Sequence, residues 1–219
     1  MKKELYKIMG IMAIATSLMA CDEHRDFPDT AMKPGQILCT DGKVLSVSDF
    51  EQSDKRAIAV VFHINHNEDT EGNGYAVYLW NLESLAFADS IGVKQNTSAD
   101  ITALDGFENT FALLNTKDTS SPLAKKVFDL WKYGQSAYIP SVAQMRLLYH
   151  AKEQINPVIK ICGGDTLPVA ADDCWYWTST EVNEQETAKA WLYSMGSGAI
   201  HDTPKTQAHQ SRAIITLRD

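Results

Sequence analysis

The residues able to do chemistry in this chain are four cysteines, six histidines and one acidic loop, and their spacing limits what they can do. Cys162 and Cys174 are close enough to close a disulfide loop of about a dozen residues, a cross-link that chain entropy values at roughly 3 kcal/mol. Cys162 can equally end a helix as a small apolar residue. No cysteine or histidine spacing has the CxxC or Cys/His pairing of a zinc site. His63 and His66 fall three apart in a β-branched stretch, so on a strand they point to opposite faces and cannot easily share a metal. His201 and His209 are separated by a loop, with no supporting carboxylate pattern. Asn67-x-Asp69-x-Glu71-Gly72 has the oxygen spacing of the front half of a calcium loop. Tyr78 stands where the bidentate Glu belongs, so a solvated loop is the expected state. There is no HExxH, GxSxG or P-loop, and Gly196-Ser197-Gly198 reads as a hairpin turn rather than a nucleophile site. These residues predict no catalytic centre, no metal site and no cofactor.

Cys21 has a different chemistry. It ends Leu18-Met19-Ala20-Cys21, behind the positive Lys2, Lys3 and Lys7 and the apolar run Ile8 to Leu18. That run suits a signal-peptide core and is too short to span a bilayer. The pattern is similar to a bacterial lipoprotein signal. Residues 1–20 would be removed and the Cys21 thiol acylated, each buried methylene then contributing roughly 0.8 kcal/mol to a membrane anchor. The expected location is the outer membrane, lipid-anchored and surface-exposed, with the membrane a partner only through that lipid. Asp22-Glu23-His24-Arg25-Asp26 resembles the surface-export signal of lipoproteins in the Bacteroides group, and reads equally as the start of a solvated tether. Residues 21–34 read as a flexible acidic leash. Within it, Asp29-Thr30-Ala31 fits the short O-glycosylation motif of that group. Cys39, Cys162 and Cys174 would then remain, an odd number, so at least one thiol stays free or pairs with another molecule. Loss of residues 1–20 would take the formal charge from −8 to −10, because Lys2, Lys3 and Lys7 leave with Glu4. Such an acidic balance argues against a nucleic-acid partner and against adsorption to anionic lipid, and solubility alone accounts for it.

Residues 35–219 must supply the elements, and 44% hydrophobic with 22% charged residues is ordinary for one domain with a sizeable core. Ile37 to Val47 reads as a hairpin turning at Asp41-Gly42. Ala57 to Ile64 is a continuous apolar, β-branched run and reads as a central strand, with Tyr75 to Trp80 as a second. Ser120-Ser121-Pro122 opens a helix whose apolar stripe is Leu123, Val127, Leu130 and Trp131. Ser141 caps another, with Gln144 as capping-box partner and Met145, Leu148 and Tyr149 on its buried side. Pro157 is expected to break or restart that helix, and Gly163-Gly164 to stop it. The remainder reads as strands at Trp175 to Thr180, Ala190 to Met195, Ala199 to Asp202 and Ser211 to Leu217. The expected fold class is α+β, with two main helices on one side of a twisted antiparallel sheet.

The order of these segments adds a resemblance. "AIAVVFHI" and "GNGYAVYLW" are followed by "DGFENT", a helix, "AYIPSVAQMRLLY", "INPVIKICGGDTLP", "CWYWTSTE", "AWLYSMGSGAI" and "SRAIITL". Together they resemble the C-type-lectin-like domain of surface lipoproteins, adhesins and fimbria-associated proteins in Bacteroides-type bacteria. The resemblance spans most of residues 37–217 and is strongest over 138–217. Ala137-Tyr138-Ile139-Pro140 departs from the usual Trp-Tyr-Leu-Pro, and a lone Arg212 stands where a second Arg or a Pro is frequent.

The resemblance implies a rigid scaffold with variable loops. Trp177 and Trp191 are expected in the core, with Thr178, Ser179 and Thr180 bonding irregular backbone. Trp175 or Tyr176 is the expected aromatic ligand platform. The late loops, residues 181–187 and 202–210, are the expected binding face, presenting Asn183, Glu184, Gln185, Lys205, Gln207, His209 and Gln210, or else are plain solvent-exposed loops. Calcium-dependent sugar binding in such folds uses Glu-Pro-Asn or Gln-Pro-Asp with Trp-Asn-Asp, and neither set is present. The function so implied is non-enzymatic, calcium-independent binding of a protein or glycan, as an adhesin or fimbria-associated subunit. Two alternatives belong to the same superfamily. One is a retroelement-diversified receptor. The other is a formylglycine-generating-like oxidase using Cys162 or Cys174, which here lack the matching neighbours.

Overall fold

Asp41-Gly42 turns the first hairpin of the computed structural model: Gly42 takes the left-handed conformation at φ 82°, and its N–H donates to Cys39 O at 2.9 Å. The structure describes residues 31–66, 72–130, 136–170 and 174–218, and from Met32 onward these belong to one compact unit. Cys21, the acidic stretch after it, the calcium-like loop at 67–71 and Trp131 lie outside the described residues. The strands are β1 (Ile37–Cys39), β2 (Val44–Leu45), β3 (Ala57–Ile64), β4 (Gly74–Tyr78), β5 (Leu82–Ala86), β6 (Ala137–Tyr138), β7 (Trp175–Glu181), β8 (Lys189–Ser194), β9 (Ile200–Pro204), β10 (Ala208–Ser211) and β11 (Ile214–Leu217). The helices are α1 (Val47–Glu51), α2 (Gly106–Asn115), α3 (Pro122–Phe128) and α4 (Val142–Ile161).

The α+β class holds, but the strands form two sheets rather than one. The first runs β2-β1-β3-β4-β11-β6 and the second β5-β10-β7-β8-β9. The stretch from Ser211 to Leu217, expected as a single strand, divides at Arg212-Ala213. Ser211 ends β10, which otherwise lies in the stretch expected as a loop and pairs in parallel with β7 and antiparallel with β5, while β11 pairs with β4 and β6. Arg212 marks the division. Its fully buried guanidinium donates to Tyr78 O at 2.6 Å, Asn81 Oδ1 at 2.7 Å, Leu79 O at 2.8 Å and Asp165 O at 2.7 Å. Burial holds this group down to about 10, and the fan of oxygens is what keeps it charged inside the protein.

Helices cover both faces of the first sheet, not one. Val142, Met145, Leu148, Ile155 and Ile159 of α4 pack with Val60, Phe62, Val77 and Ile214 in one cluster. Leu113 of α2 and Leu123, Ala124 and Val127 of α3 pack with Ala59, Val61, Ala76 and Ile215 in the other. This two-sided burial explains why β3 reads as an unbroken apolar run. Strand β7 contributes to both clusters by alternation, Trp177 to one and Tyr176 to the other.

Among the elements not anticipated are α1, α2, β5 and the short β6. The helix α2 starts at Gly106, where an added Cβ would lie 2.3 Å from Gln144 Oε1 and 2.6 Å from Ile139 O, so only glycine lets it approach the α4 cap. That cap is the expected capping box, Ser141 Oγ accepting from Gln144 N and Gln144 Oε1 accepting from Ser141 N. Pro157 does not break α4, which runs 20 residues through it. The helix ends on Cys162 as C-cap, followed by Gly163 at φ 70°. Cys39, Cys162 and Cys174 carry thiols, and no disulfide joins Cys162 to Cys174. Burial, with a smaller contribution from Cys39, pushes the Cys162 thiol up to about 11.

Candidate functional site

The end of β7 is built from small hydroxylated residues because the strand is irregular there. Pairing with β8 slips between Trp177↔Leu192 and Glu181↔Ala190, a bulge that leaves backbone groups off the ladder. Side chains and a neighbouring loop fill the gaps. Thr178 Oγ1 donates to Trp191 O at 2.8 Å, Ser179 N donates to Pro140 O at 2.9 Å, and Val142 N donates to Thr180 Oγ1 at 3.2 Å. All three residues are fully buried. The bulge thus aims Glu181 inward at the sheet's end, with its side chain 1% exposed.

Glu181 gathers three chain segments. Its carboxylate accepts from Gln95 N at 3.0 Å, Thr97 N at 3.2 Å and Thr97 Oγ1 at 2.9 Å, and pairs with Lys205 Nζ. Lys205 is itself 0% exposed, and its Nζ also donates to Val93 O at 3.3 Å. Burial draws the Lys205 ammonium below its ordinary range, and the Glu181 carboxylate offsets only part of that. The ring of Phe87, with its centroid 5.5 Å from Nζ, adds a cation–π contact.

This buried pair organises a tip made of three loops. Residues 90–97 meet residues 182–188 through Gly92 N donating to Thr187 O at 2.7 Å and the Lys94–Glu186 ion pair at 3.3 Å. Residues 204–207 join through Lys205 N donating to Ala188 O at 3.0 Å and Ala88 N donating to Lys205 O at 3.1 Å. The far end of the first loop is anchored on α2, where Asn109 Oδ1 accepts from Ser98 N at 2.8 Å. Half-buried Asp105 accepts from Asn109 Nδ2 and from Ser98 Oγ; desolvation pushes its carboxyl above the usual range despite those bonds. The tip displays Asn183, Glu184, Gln185, Thr206 and Gln207, all exposed, together with Ile91 at 59% exposure. Asn96 (φ 59°) and Glu184 (φ 63°) are the non-glycine residues in the left-handed region among the described residues, and both lie here.

The structure sorts the sequence-predicted residues clearly. Asn183, Gln185 and Gln207 share the tip surface. Lys205 does not present a hydrogen bond to ligand, because its amine is consumed by the buried pair beneath the tip. Tyr176 is not a platform either: at 2% exposure it packs against the α4 side of the core. Strand β7 has no bare face along its middle, since Trp177 packs into one core cluster and Tyr176 into the other. Trp175 is half-buried and leans edge-on against His201 at 5.8 Å. His209 is half-buried against Trp177 at 5.4 Å, so the two histidines flank one Trp175–Trp177 stripe on the second sheet. Burial and His201 together hold His209 below the ordinary imidazole value. Trp177 is wholly buried, its Nε1 donating to Leu85 O at 3.0 Å, while Trp191 is half-buried. Among the described residues no three His, Cys, Asp or Glu side chains converge in a metal-binding group.

Sequence reading missed the whole first loop of the tip. Gln95-Asn96-Thr97-Ser98 has no hydrophobic period and no turn dipeptide, so nothing local says that two of its amides bond to a glutamate 84 and 86 positions away. Asn96 is the one faint signal, since Asn tolerates the left-handed conformation.

No protein-family model and no curated protein sequence matches the chain. Among solved structures, the fold is similar to the crystal structure of a fimbrial protein from Bacteroides ovatus, with a TM-score of 0.67 at 17% identity. The match covers 85% of this chain and 49% of that one, so the chain spans about half the length of the fimbrial protein. The fold therefore resembles that of a fimbrial protein. Among the described residues no helix is long and apolar enough to cross a membrane.

Proposed function

We propose that this chain is a non-enzymatic, lectin-like binding domain of an adhesin or fimbria-associated protein at the cell surface, held there by lipid on Cys21, and that it binds a protein or glycan without calcium. The observation that supports this reading most is the tip itself. A buried ion pair fixes three loops, and those loops expose a group of carboxamides and hydroxyls on a rigid scaffold. That is the division of labour expected of a binding surface rather than of a catalytic cleft. No nucleophile–base pair forms at the tip, and its one buried acid is already saturated with donors. The fimbrial resemblance of the fold agrees with a surface role.

The test is binding of the protein from Met32 onward to arrayed glycans and to extracellular protein fractions, in calcium and in EDTA. Equal binding in both buffers, lost in an Asn183→Ala/Gln207→Ala double variant that melts like wild type, is the expected result. Binding abolished by EDTA, or unaffected by the double substitution, would sink the reading. Surface location is checked separately by protease shaving of intact cells carrying wild type or Cys21→Ser.

A further inference from the structure

Gln95 is 0% exposed, and neither its Nε2 nor its Oε1 has a hydrogen-bond partner, a state that no other buried side chain among the described residues shares. A carboxamide buried this way is disfavoured against an apolar side chain of similar size. Its surroundings are unusual in a second, independent way. The next residue, Asn96, is held at φ 59°, and Glu184 on the facing loop at φ 63°. Backbone strain and unmet polarity thus coincide at the tip, the pattern expected of a site whose partner arrives from outside. The floor beneath is firm, since Gln95 N and Thr97 N both donate to the buried Glu181 carboxylate. The segment just before Gln95 is held at several points. Ser90 Oγ donates to Thr119 Oγ1 at 2.8 Å, Gly92 N donates to Thr187 O, Val93 O accepts from Lys205 Nζ at 3.3 Å, and Lys94 pairs with Glu186 through a lysine that is 58% exposed, a kind of contact that contributes little.

We propose that Gln95 is a ligand-reading residue: residues 90–94 shift, exchanging some of those contacts, and two adjacent ring hydroxyls of a neutral saccharide pair with its carboxamide, one donating to Oε1 and the other accepting from Nε2. This rests on the reading of the tip as a binding surface, and names the ligand class it takes. A vicinal diol offers a donor and an acceptor at the spacing of a primary amide. The exposed side chains around it, Asn183, Gln185, Thr206 and Gln207, are more groups suited to hydroxyls. None of the three tip loops holds an aromatic residue to anchor a protein partner.

The experiment uses Gln95→Met, which keeps length and volume and removes the amide. The probes are methyl α-mannopyranoside, methyl β-galactopyranoside and N-acetylglucosamine, with N-acetylglycine methylamide as the peptide-like arm. Binding is followed by ligand-observed NMR and stability by thermal melting. Wild type is expected to bind at least one saccharide. The variant is expected to melt higher yet bind that saccharide roughly tenfold or more weakly, the loss of about one good hydrogen bond. If the variant folds poorly, the Gln95 side-chain NH2 resonance of 15N-labelled wild type decides: it must shift on saccharide addition. Unchanged affinity in Gln95→Met, or a resonance that stays put while other tip signals move, overturns the role of Gln95 and leaves the tip reading standing. Wild type binding only the amide probe overturns the saccharide class. Wild type binding none of the probes overturns both readings together.

Discussion

In the six-stranded sheet, every buried strand residue is apolar or aromatic apart from Gly74, from Ile37 through Val60 and Val77 to Ile214. In the five-stranded sheet, the buried strand residues include Thr178, Ser179, Thr180, Glu181, Ser194, Thr203 and Ser211. The first sheet is clamped between α4 on one face and α2 and α3 on the other, by contacts that have no direction. The second is held at its outer end by bonds that each need one partner at one angle. Apolar burial tolerates substitution of similar volume, whereas a buried polar group tolerates none that leaves its partner orphaned. The difference places the stable mass of the protein in the first sheet and its positional accuracy in the second, under the tip.

The sharpest way to break this comparison is Lys205→Met. It leaves Glu181 charged, buried and unpaired, and should cost about 3–5 kcal/mol in urea unfolding. The double variant Glu181→Met/Lys205→Met removes both charges and should recover much of that loss, because the charge left alone is the larger penalty. A single variant no worse than the double would mean the pair does not hold the second sheet.

A matched pair of gentler substitutions sharpens the contrast. Thr178→Val keeps the shape but removes the hydroxyl that donates to Trp191 O and accepts from Thr180 N, and should cost about 1–3 kcal/mol. Ile215→Val, deep in the first sheet, removes one methylene and should cost about 0.5–1.5 kcal/mol. The reverse order would argue that apolar packing rather than hydrogen bonding fixes the second sheet.

Acid should probe one histidine in each sheet. Burial, then His66, lowers His63 on β3; burial, then His201, lowers His209 on β10; both start from an ordinary value of 6.5. With the folded value below the unfolded one, the unfolded chain takes up protons first. Stability is therefore full above about pH 6.5 and falls as pH drops toward the folded values. His63→Asn and His209→Asn should each flatten the slope of unfolding free energy between neutral pH and pH 5. An unchanged slope in both would show that neither imidazole is held neutral. The smallest effect belongs to the tip surface, where Asn183→Ala and Gln207→Ala should each change stability by less than about 0.5 kcal/mol. A larger loss would make those side chains part of the scaffold.

Residue patterns of short range were legible. The Asp41-Gly42 hairpin, the β3 run, the Ser121-Pro122 helix start and the Ser141/Gln144 cap are each written within a few residues. Helix α2 was not, because its stripe is broken by Asn109 and Thr110, which turn inward to bond Asp105, Ser98 and Ile139. Pro157 misled because a helix loses only one N–H bond and suffers one clash there, and the packing of Ile155, Val158 and Ile159 outweighs it. Lys205 was read as exposed because lysine nearly always is, and only a carboxylate brought from another strand reverses that rule.

Taken alone, the sequence determined the α+β class, the apolar strand that anchors the first sheet, the buried indole of Trp177 and the exposed amides of the late loops. The class and the strand follow from composition and period, which are local; the indole and the amides follow from what the resemblance of the motifs implies. The tertiary structure decided that there are two sheets, that Arg212 separates polar β10 in one from apolar β11 in the other, and that Glu181 and Lys205 bury each other beneath a loop the pattern did not mark. Each of those depends on a charge or an amide finding a partner far along the chain, and only folding brings such partners together.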